Sequence, residues 1–377
     1  MFERDHIREI EGYVPSVQPA AGAIKLNTNE NPYPPSPRAM AALGTIRPEM
    51  LQRYPDPLSE AFRQVAARTH GLTMDQVVAT NAGDELLKLA LTTFADPGRP
   101  VGVVSPSYGL YSVLAALHQA PLSEVALTEA WQLPERTAER WNEDRAQIAF
   151  LTNPHAPSGT LIPAKAIERL AATFQGVLVI DEAYVDFVDP ALNHDATPLI
   201  SRYPNVLLLR TMSKAYSLAG LRLGYGLGDP ALLEPILAKT KDSYNIDAVA
   251  QLVGAAALQD SAYALATWEM VGRERTRLAH ALSDIGLPPL PSQTNFLLAT
   301  SFPSNRGITA RDVYAELVER NIYVRWFDTP RLRDKLRITI GTPDENDALL
   351  IALREILHQT ANHPAMSEAH PASASPH

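Results

Sequence analysis

LLLRTMSKAYSLAGLRLGYG, residues 207–226, places a lysine between two apolar runs. The first run, residues 206–209, has the length and apolar character of a buried strand, and it ends at a polar turn that holds Ser213 and Lys214. The second run, residues 223–227, is predicted as another strand. A lysine directly after a buried strand is usually a solvated surface residue, so a functional lysine here needs other polar groups beside it.

Short β-branched runs alternate with helical stretches from about residue 56 onward. This alternation is typical of parallel βαβ units, so we predict an α/β fold with a mostly parallel central sheet flanked by helices. The predicted strands of this sheet are residues 77–80, 101–104, 148–151, 177–180, 206–209 and 223–227.

Proline clusters mark the predicted domain bounds. The segment NENPYPPSP has four prolines in nine positions, which favours an extended N-terminal arm over residues 1–40 rather than a helix or a central strand. A second proline cluster separates a large domain, residues 41–287, from a smaller α+β domain, residues 288–360. The arm is expected to pack on the small domain, and residues 361–377 are expected to form a flexible tail.

Composition excludes several classes of function. The chain has 377 residues and a net charge of −9, so nucleic acid is not an expected partner. It has no cysteine, which excludes disulfides and thiolate metal sites, and we predict no metal. No apolar run is long enough to cross a membrane, and the charged start does not resemble a secretory signal, so we expect a cytoplasmic protein.

Polar residues follow the predicted strands at their carboxyl ends. Ligands bind at that edge of a parallel sheet because the loops there meet helix N-termini. Asp181 and Lys214 are 33 residues apart (214 − 181), about one βαβ unit, which places them on related strands. Each alone has an ordinary explanation, a helix cap or a solvated side chain, but together they indicate one site. The residues that follow the strands are Asn81, Gly83, Asp84, Tyr108, Asn153, Asp181 and Lys214.

The glycine patterns of other nucleotide-binding enzymes are missing. The segment GYGLGD, residues 224–229, has an aspartate where a dinucleotide site needs its last glycine, and the chain has no GxxxxGK phosphate loop. A lysine, a carboxylate and an aromatic ring are instead what a pyridine-ring cofactor requires. The lysine forms a Schiff base with the cofactor aldehyde, and the carboxylate keeps the ring nitrogen protonated so that the ring accepts electrons.

The segment TMSKAYSLAGLRLGYG resembles the lysine segment of fold-type I pyridoxal-phosphate aminotransferases, and five other segments resemble the histidinol-phosphate aminotransferase family in order and spacing. The resemblance implies pyridoxal 5′-phosphate as cofactor, an amino donor and a 2-oxo acid as substrates, and a homodimer. It also implies transamination between L-histidinol phosphate and 2-oxoglutarate in histidine biosynthesis. The segments are LNTNENPYPPSP (26–37), RYPDP (53–57), TNPHAPSGT (152–160), DEAYVDF (181–187), TMSKAYSLAGLRLGYG (211–226) and LRITIGTP (336–343).

The family's cofactor residues carry over position by position. The resemblance implies that Lys214 is the Schiff-base lysine and the base that moves the substrate proton, and that Asp181 pairs with the pyridine nitrogen. Tyr108 is expected to stack on the ring. The remaining implied cofactor residues are Asn153 and Tyr184 at the ring oxygen, and Gly83, Asp84, Thr211 or Ser213, and Arg222 around the phosphate.

Five more residues are implied for the partner subunit and the substrate. Tyr54 is expected to reach the phosphate of the neighbouring subunit's cofactor. Arg337 is expected to grip the acidic end of the substrate and Arg325 its phosphate, since two arginines suit a dianion. Alternation in LRITIG leaves Arg337 on the face opposite the apolar residues. Tyr13 and Asn29, on the arm, are expected to close over the substrate.

The sequence departs from the commonest family wording at two places. Ala82 and Gly83 reverse the usual Gly-Ala order, which should matter little because the phosphate contacts are backbone N–H groups. His155 and Ala156 stand where asparagines are frequent, and we expect His155 to fill the turn.

Other activities of the same fold stay open. An aromatic amino-acid aminotransferase or a threonine-phosphate decarboxylase would use the same cofactor residues, and Arg325, Tyr13 and the arm decide among them. From another class, a non-catalytic pyridoxal-phosphate-binding regulator is disfavoured because no additional DNA-binding module is evident in the chain.

Overall fold

The structure, a computed structural model, describes residues 2–300 and 308–362, with side chains through His358. The expected tail therefore lies outside the described residues, apart from two positions that end the last helix. The helices are α1 (Asp5–Arg8), α2 (Pro37–Leu43), α3 (Pro48–Gln52), α4 (Glu60–His70), α5 (Ala82–Phe94), α6 (Leu110–Leu117), α7 (Thr137–Glu143), α8 (Ala164–Thr173), α9 (Thr197–Arg202), α10 (Pro230–Pro235), α11 (Ala248–Leu258), α12 (Ser261–Asp284), α13 (Ala310–Glu319) and α14 (Pro343–Asn362). The strands are β1 (Ile24–Lys25), β2 (Val77–Asn81), β3 (Val101–Ser105), β4 (Leu122–Ala126), β5 (Ile148–Thr152), β6 (Val177–Asp181), β7 (Val206–Thr211), β8 (Leu223–Gly228), β9 (Phe296–Ala299), β10 (Ile322–Tyr323), β11 (Arg325–Trp326) and β12 (Leu336–Thr339).

Seven strands form the central sheet, in the order β2-β8-β7-β6-β5-β3-β4. β8 is antiparallel to both of its neighbours, and the other six strands share one direction. All six predicted strands are present, and the α/β class with a mostly parallel sheet is confirmed. Because β5, β6 and β7 are buried along almost their whole length, they need apolar residues on both faces, and their polar residues collect at the ends.

The chain divides into two compact units whose segments interleave. The first contains the residues up to Pro15, Asn29–Arg273 and Pro291–Asn295. The second contains Ser16–Thr28, Glu274–Leu290 and the described residues from Phe296 to Asn362. The arm expected over residues 1–40 is thus divided between both units, because β1 pairs in parallel with β10 of the second unit.

The N-terminal arm is not extended throughout, which corrects the expectation from its prolines. Both α1 and the start of α2 lie inside it. Pro37 is tolerated because the first position of a helix needs no N–H donor. The Ser36 side chain caps α2 by accepting a hydrogen bond from the Ala39 amide.

The second unit holds an antiparallel sheet of order β11-β12-β9. Leu336 and Ile338 of β12 are buried, and Arg337 between them is half-buried, which agrees with the alternation read from the sequence. The capping box of Thr309 and Asp312 starts α13.

Candidate active site

The carboxyl ends of β2, β3, β5, β6 and β7 lie along one edge of the central sheet, because these strands run in the same direction. The structure brings the polar residues that follow them together. Tyr108 lies within electrostatic reach of Asp84, Asp181 and Tyr184, and Asp181 lies within reach of Lys214. A cation, carboxylates and aromatic rings therefore share one site.

Asp181 is a buried carboxylate held by two donors. It is 5% exposed and accepts hydrogen bonds from the Tyr111 hydroxyl at 2.8 Å and the Ala183 amide at 3.1 Å. Burial raises the pKa of Asp181 to about 6, while these hydrogen bonds and the charge of Lys214 act in the opposite direction. A carboxylate fixed in this way suits a cationic ring nitrogen, which would compensate its burial.

Tyr111 is a site residue that the sequence reasoning missed. Its hydroxyl also bonds the Thr152 hydroxyl at 2.7 Å, so the ends of β5 and β6 are tied to α6. The ring is 1% exposed and packs on Phe150, which makes it resemble an ordinary core residue. Its spacing of three residues from Tyr108 on the way into α6 is the signal that could have identified it.

Lys214 sits on a turn that is closed by its own backbone. The Met212 amide bonds the Leu223 carbonyl, and the Leu218 amide returns to the Met212 carbonyl at 3.1 Å. The Ser213 amide donates to the Thr211 hydroxyl at 3.1 Å, so Thr211 orders the residue before the lysine. Lys214 is half-buried, and the turn fixes where its side chain begins.

The start of α5 forms a candidate anion site. Arg222 approaches it, with a guanidinium nitrogen 3.3 Å from an Asp84 carboxylate oxygen. At Gly224 of β8, a Cβ would lie 2.7 Å from the Ala82 carbonyl carbon and 2.8 Å from the Gly83 nitrogen, so only glycine permits this close approach. A helix N-terminus with an arginine beside it is suited to a phosphate.

The polar side chains of the loop after β5 form hydrogen bonds with other residues of the protein. The Asn153 side chain accepts from the Ile162 amide at 2.8 Å and donates to the Ile162 carbonyl and to His194 Nε2. Burial lowers the pKa of His194, which favours the neutral ring that can accept this bond. His155 is completely buried and bonds Ser158 and the Pro106 carbonyl, which supports its expected place in the turn.

Two residues of the arm reach this site. The Tyr13 ring meets the Tyr108 ring edge-on, with centroids 5.6 Å apart. Asn29 is 1% exposed and donates from its side chain to the Tyr184 hydroxyl at 2.9 Å. Asn29 therefore contacts a predicted cofactor residue directly.

Tyr54 differs from these residues in its exposure. It is 79% exposed and stacks on Tyr244, with centroids 4.4 Å apart and planes 16° apart. The Lys241 ammonium holds the same segment by donating to the Pro57 carbonyl at 2.8 Å. The Tyr54 ring is therefore held in place by its own chain and is exposed to contact with another molecule.

The predicted substrate arginines belong to the second unit. Arg325 and Arg337 are directly paired across β11 and β12. Both guanidinium groups lie over the Phe327 ring, at 5.2 Å and 5.3 Å from its centroid, and Arg337 also lies over Phe296. Two neighbouring cations on one aromatic support suit an anion with more than one charge.

The fold and site define a class of protein. The chain belongs to the aminotransferase class I and II family, whose model matches residues 21–353. The prediction of an enzyme of this kind is therefore confirmed.

Individual relatives narrow the comparison. The chain is 43% identical to histidinol-phosphate aminotransferase 1 of Trichormus variabilis, over 94% of this chain and 99% of that protein. It is 41% identical to histidinol-phosphate aminotransferase 1 of Burkholderia pseudomallei, over 94% and 98% of the two chains. The resemblance stated from the sequence motifs is thereby confirmed.

A solved structure agrees with these relatives. Histidinol-phosphate aminotransferase from Sinorhizobium meliloti superposes with a TM-score of 0.82 at 25% identity, over 89% of this chain and 90% of that chain. It was solved in complex with pyridoxal 5′-phosphate, the cofactor predicted from the sequence.

Proposed function

We propose that the chain is a pyridoxal-phosphate-dependent aminotransferase that moves an amino group between L-histidinol phosphate and 2-oxoglutarate. The observation that carries the reaction class is the grouping of Lys214, Asp181 and Tyr108 at one sheet edge in a chain of the aminotransferase family. The choice of substrate is supported by relatives named histidinol-phosphate aminotransferase, at up to 43% identity over 94% of the chain. A cytoplasmic location stays a prediction from the sequence.

The donor set fits this cofactor. The buried carboxylate of Asp181 suits a protonated pyridine nitrogen, and Arg222 beside the start of α5 suits a phosphate. Thr211, Ser213 and the Gly83 and Asp84 amides would complete the phosphate site. When bound, pyridoxal phosphate supplies an aldehyde that captures amines and a ring that accepts electrons.

The chain's own residues then divide the work. Lys214 would hold the cofactor and would afterwards move the proton at the substrate Cα. Asp181 would supply the negative charge that keeps the ring nitrogen protonated, and Tyr108 would cover the ring and exclude water. Tyr184 would donate to the ring oxygen. Asn153 was expected to do the same, but its amide is already engaged by Ile162 and His194, so we assign the larger share to Tyr184.

We also propose a homodimer in which Tyr54 completes the partner's site. Besides the Tyr54 ring, the apolar side chains of Met40 and Leu51 on α2 and α3 also face solvent, at 50% and 64% exposure. Exposed apolar surface of this kind is typical of protein interfaces. A second copy of the chain would cover it.

The substrate assignment is tested by comparing two arginines. We expect Arg325→Ala to lower kcat/KM for L-histidinol phosphate by about tenfold to a hundredfold, the effect of one lost charged hydrogen bond, and to affect glutamate far less. Arg333→Ala is the matched control, since Arg333 is 61% exposed and pairs with Asp328. Stopped-flow half-reactions with each amino donor provide the measurement.

Equal losses for both donors would count against a phosphate-binding role of Arg325. Faster reaction with phenylalanine or tyrosine than with L-histidinol phosphate would instead favour an aromatic amino-acid aminotransferase. Release of carbon dioxide from threonine phosphate would favour the decarboxylase.

A further inference from the structure

We propose that Asn29 is a positioning residue for the cofactor that acts through Tyr184, in addition to any contact with substrate. Its side-chain Nδ2 donates a 2.9 Å hydrogen bond to the Tyr184 hydroxyl. Both residues are buried, at 1% and 8% exposure, so water competes little for this bond. The inference rests on the proposed function, since it concerns how Tyr184 meets the ring oxygen of pyridoxal phosphate.

The backbone of Asn29 is held in a defined conformation. Its φ of 57° lies in the left-handed region, which asparagine tolerates better than most residues. Its carbonyl oxygen accepts a 2.9 Å hydrogen bond from the completely buried side chain of Asn295. The side-chain amide of Asn295 therefore holds Asn29 in place, and the side-chain amide of Asn29 in turn holds the hydroxyl of Tyr184.

The direction of the bond determines what Tyr184 can do. A phenol oxygen that accepts from an amide N–H turns its single proton away from that amide. Tyr184 follows Asp181 by three residues and acts electrostatically on Tyr108, so it belongs to the active site. Its proton can then be directed to the ring oxygen of the cofactor.

A donor on the ring oxygen changes the proton affinity of the imine that Lys214 forms with the cofactor. The ring oxygen and the imine nitrogen share one proton, and a hydrogen bond to the charged oxygen makes it a weaker acceptor for that proton. Asn29 therefore lowers the imine pKa by orienting Tyr184. The other groups whose charges act in this site stay unchanged in every variant below, namely Tyr13, Asp84, Tyr108, Asp181 and Lys214.

The test is a pH titration of the visible absorbance of purified holoenzyme without substrate. Asn29→Gly removes the amide and keeps the left-handed backbone, which glycine adopts freely. We expect the imine pKa to rise by about half a unit to one unit, the size of one hydrogen bond. Tyr184→Phe should raise it at least as much, and the double variant should match Tyr184→Phe alone.

A matched control removes a hydrogen-bonded side-chain amide away from the candidate site. Asn205 directly precedes β7, at the end opposite Lys214, and its side chain bonds the Phe174 and Gly176 carbonyls. Asn205→Ala should titrate like the wild type. Should Asn29→Gly fail to fold, Asn29→Asp replaces the donor with an acceptor of the same shape and should also raise the imine pKa.

The proposal is overturned if the Asn29 variant titrates like the wild type, or if the shifts of the two single variants add in the double variant. A changed KM with an unmoved imine pKa would assign Asn29 to substrate binding alone and also overturns it. Failure of the proposed function is distinguishable. Without cofactor binding the wild-type protein itself would show no visible absorbance with pyridoxal phosphate, whereas a wrong substrate assignment would leave this titration unchanged and abolish only the reaction with L-histidinol phosphate.

Discussion

At the scale of single residues, Ala82 occupies a backbone conformation that suits glycine. Its φ is 62°, while the neighbouring Gly83 has no such requirement. A Cβ at Gly83 would instead lie 2.9 Å from the Leu209 side chain. The reversed Ala-Gly order is therefore more than a neutral swap, because it trades backbone strain at one position for packing space at the next.

We expect Ala82→Gly to raise the free energy of unfolding by about 0.5–1 kcal/mol, because glycine adopts the left-handed conformation without strain. The greater entropy of glycine in the unfolded chain offsets part of this gain. Gly83→Ala should lower it by about 1–3 kcal/mol through overpacking against Leu209. Ala41→Gly is the control, because Ala41 is an exposed residue inside α2, where glycine costs about 1 kcal/mol. Urea unfolding curves provide the measurement, and a loss for Ala82→Gly equal to that of Ala41→Gly would contradict the prediction.

At the scale of elements, a buried ion pair joins Glu182, the residue after β6, to Arg210 of β7. Arg210 Nε lies 2.7 Å from Glu182 Oε2, with side-chain exposures of 10% and 0%. Burial raises the pKa of Glu182 to about 7, and the charge of Arg210 opposes that shift. Although burial alone would lower it, the carboxylates of Glu182 and Asp186 raise the pKa of Arg210, so the cation persists.

Arg210→Met should lower the free energy of unfolding by about 3–5 kcal/mol, because it leaves a buried carboxylate without its cation. The double variant Arg210→Met/Glu182→Met should lose less than the sum of the two single changes. Arg136→Met is the control, since the Arg136–Glu143 pair is exposed and contributes at most about 1 kcal/mol. Equal losses for Arg210→Met and Arg136→Met in urea unfolding would show that burial does not matter here.

The elements that the sequence predicted are those with continuous apolar runs. All six predicted runs are strands, and five of them, all but residues 223–227, are rich in β-branched and other apolar residues because they are buried on both faces. β4 was missed because LSEVA, at the edge of the sheet, has two adjacent polar residues and only one buried position, so it lacks a continuous apolar run. The reversed direction of β8 and the pairing of β1 with β10 depend on contacts distant in sequence, which no local pattern contains.

The residues of the candidate site were predictable where they follow a predicted strand, and not where they depend on contacts distant in sequence. Polar residues at the ends of apolar strands, such as Asp181, stand out against their surroundings, whereas Tyr111 resembles a core aromatic and differs only in its spacing of three residues from Tyr108. The bond between Asn29 and Tyr184 joins positions 155 residues apart, so it could not be predicted without the fold.

Among the described residues, the structure has no helix that is both long and apolar enough to span a bilayer.

At the scale of the whole molecule, the proposed dimer predicts that damaged chains can repair each other. A hybrid of a Lys214→Ala chain and a Tyr54→Ala chain would contain one intact site, because the intact lysine of one chain meets the intact tyrosine of the other. We expect tagged, purified hybrids to regain roughly half of the wild-type activity, one site of two in a twofold dimer. Activity is measured against each parent homodimer.

The control hybrid pairs a wild-type chain with a Lys214→Ala/Tyr54→Ala chain. If Tyr54 serves the partner, both sites of this hybrid are damaged and activity stays low. If Tyr54 serves its own chain, the control hybrid has one intact site and the first hybrid has none. That reversed pattern would contradict the shared site.

The central claim is that Lys214 carries pyridoxal phosphate with Asp181 opposite the ring nitrogen. Borohydride reduction of the protein loaded with pyridoxal phosphate, followed by peptide mass spectrometry, tests it most directly. We expect a visible absorbance that reduction removes, a stable cofactor adduct on the Lys214 peptide, no adduct in Lys214→Ala, and weaker cofactor retention in Asp181→Asn. A colourless wild-type protein, an adduct on another lysine, or unaltered retention in Asp181→Asn would contradict the account.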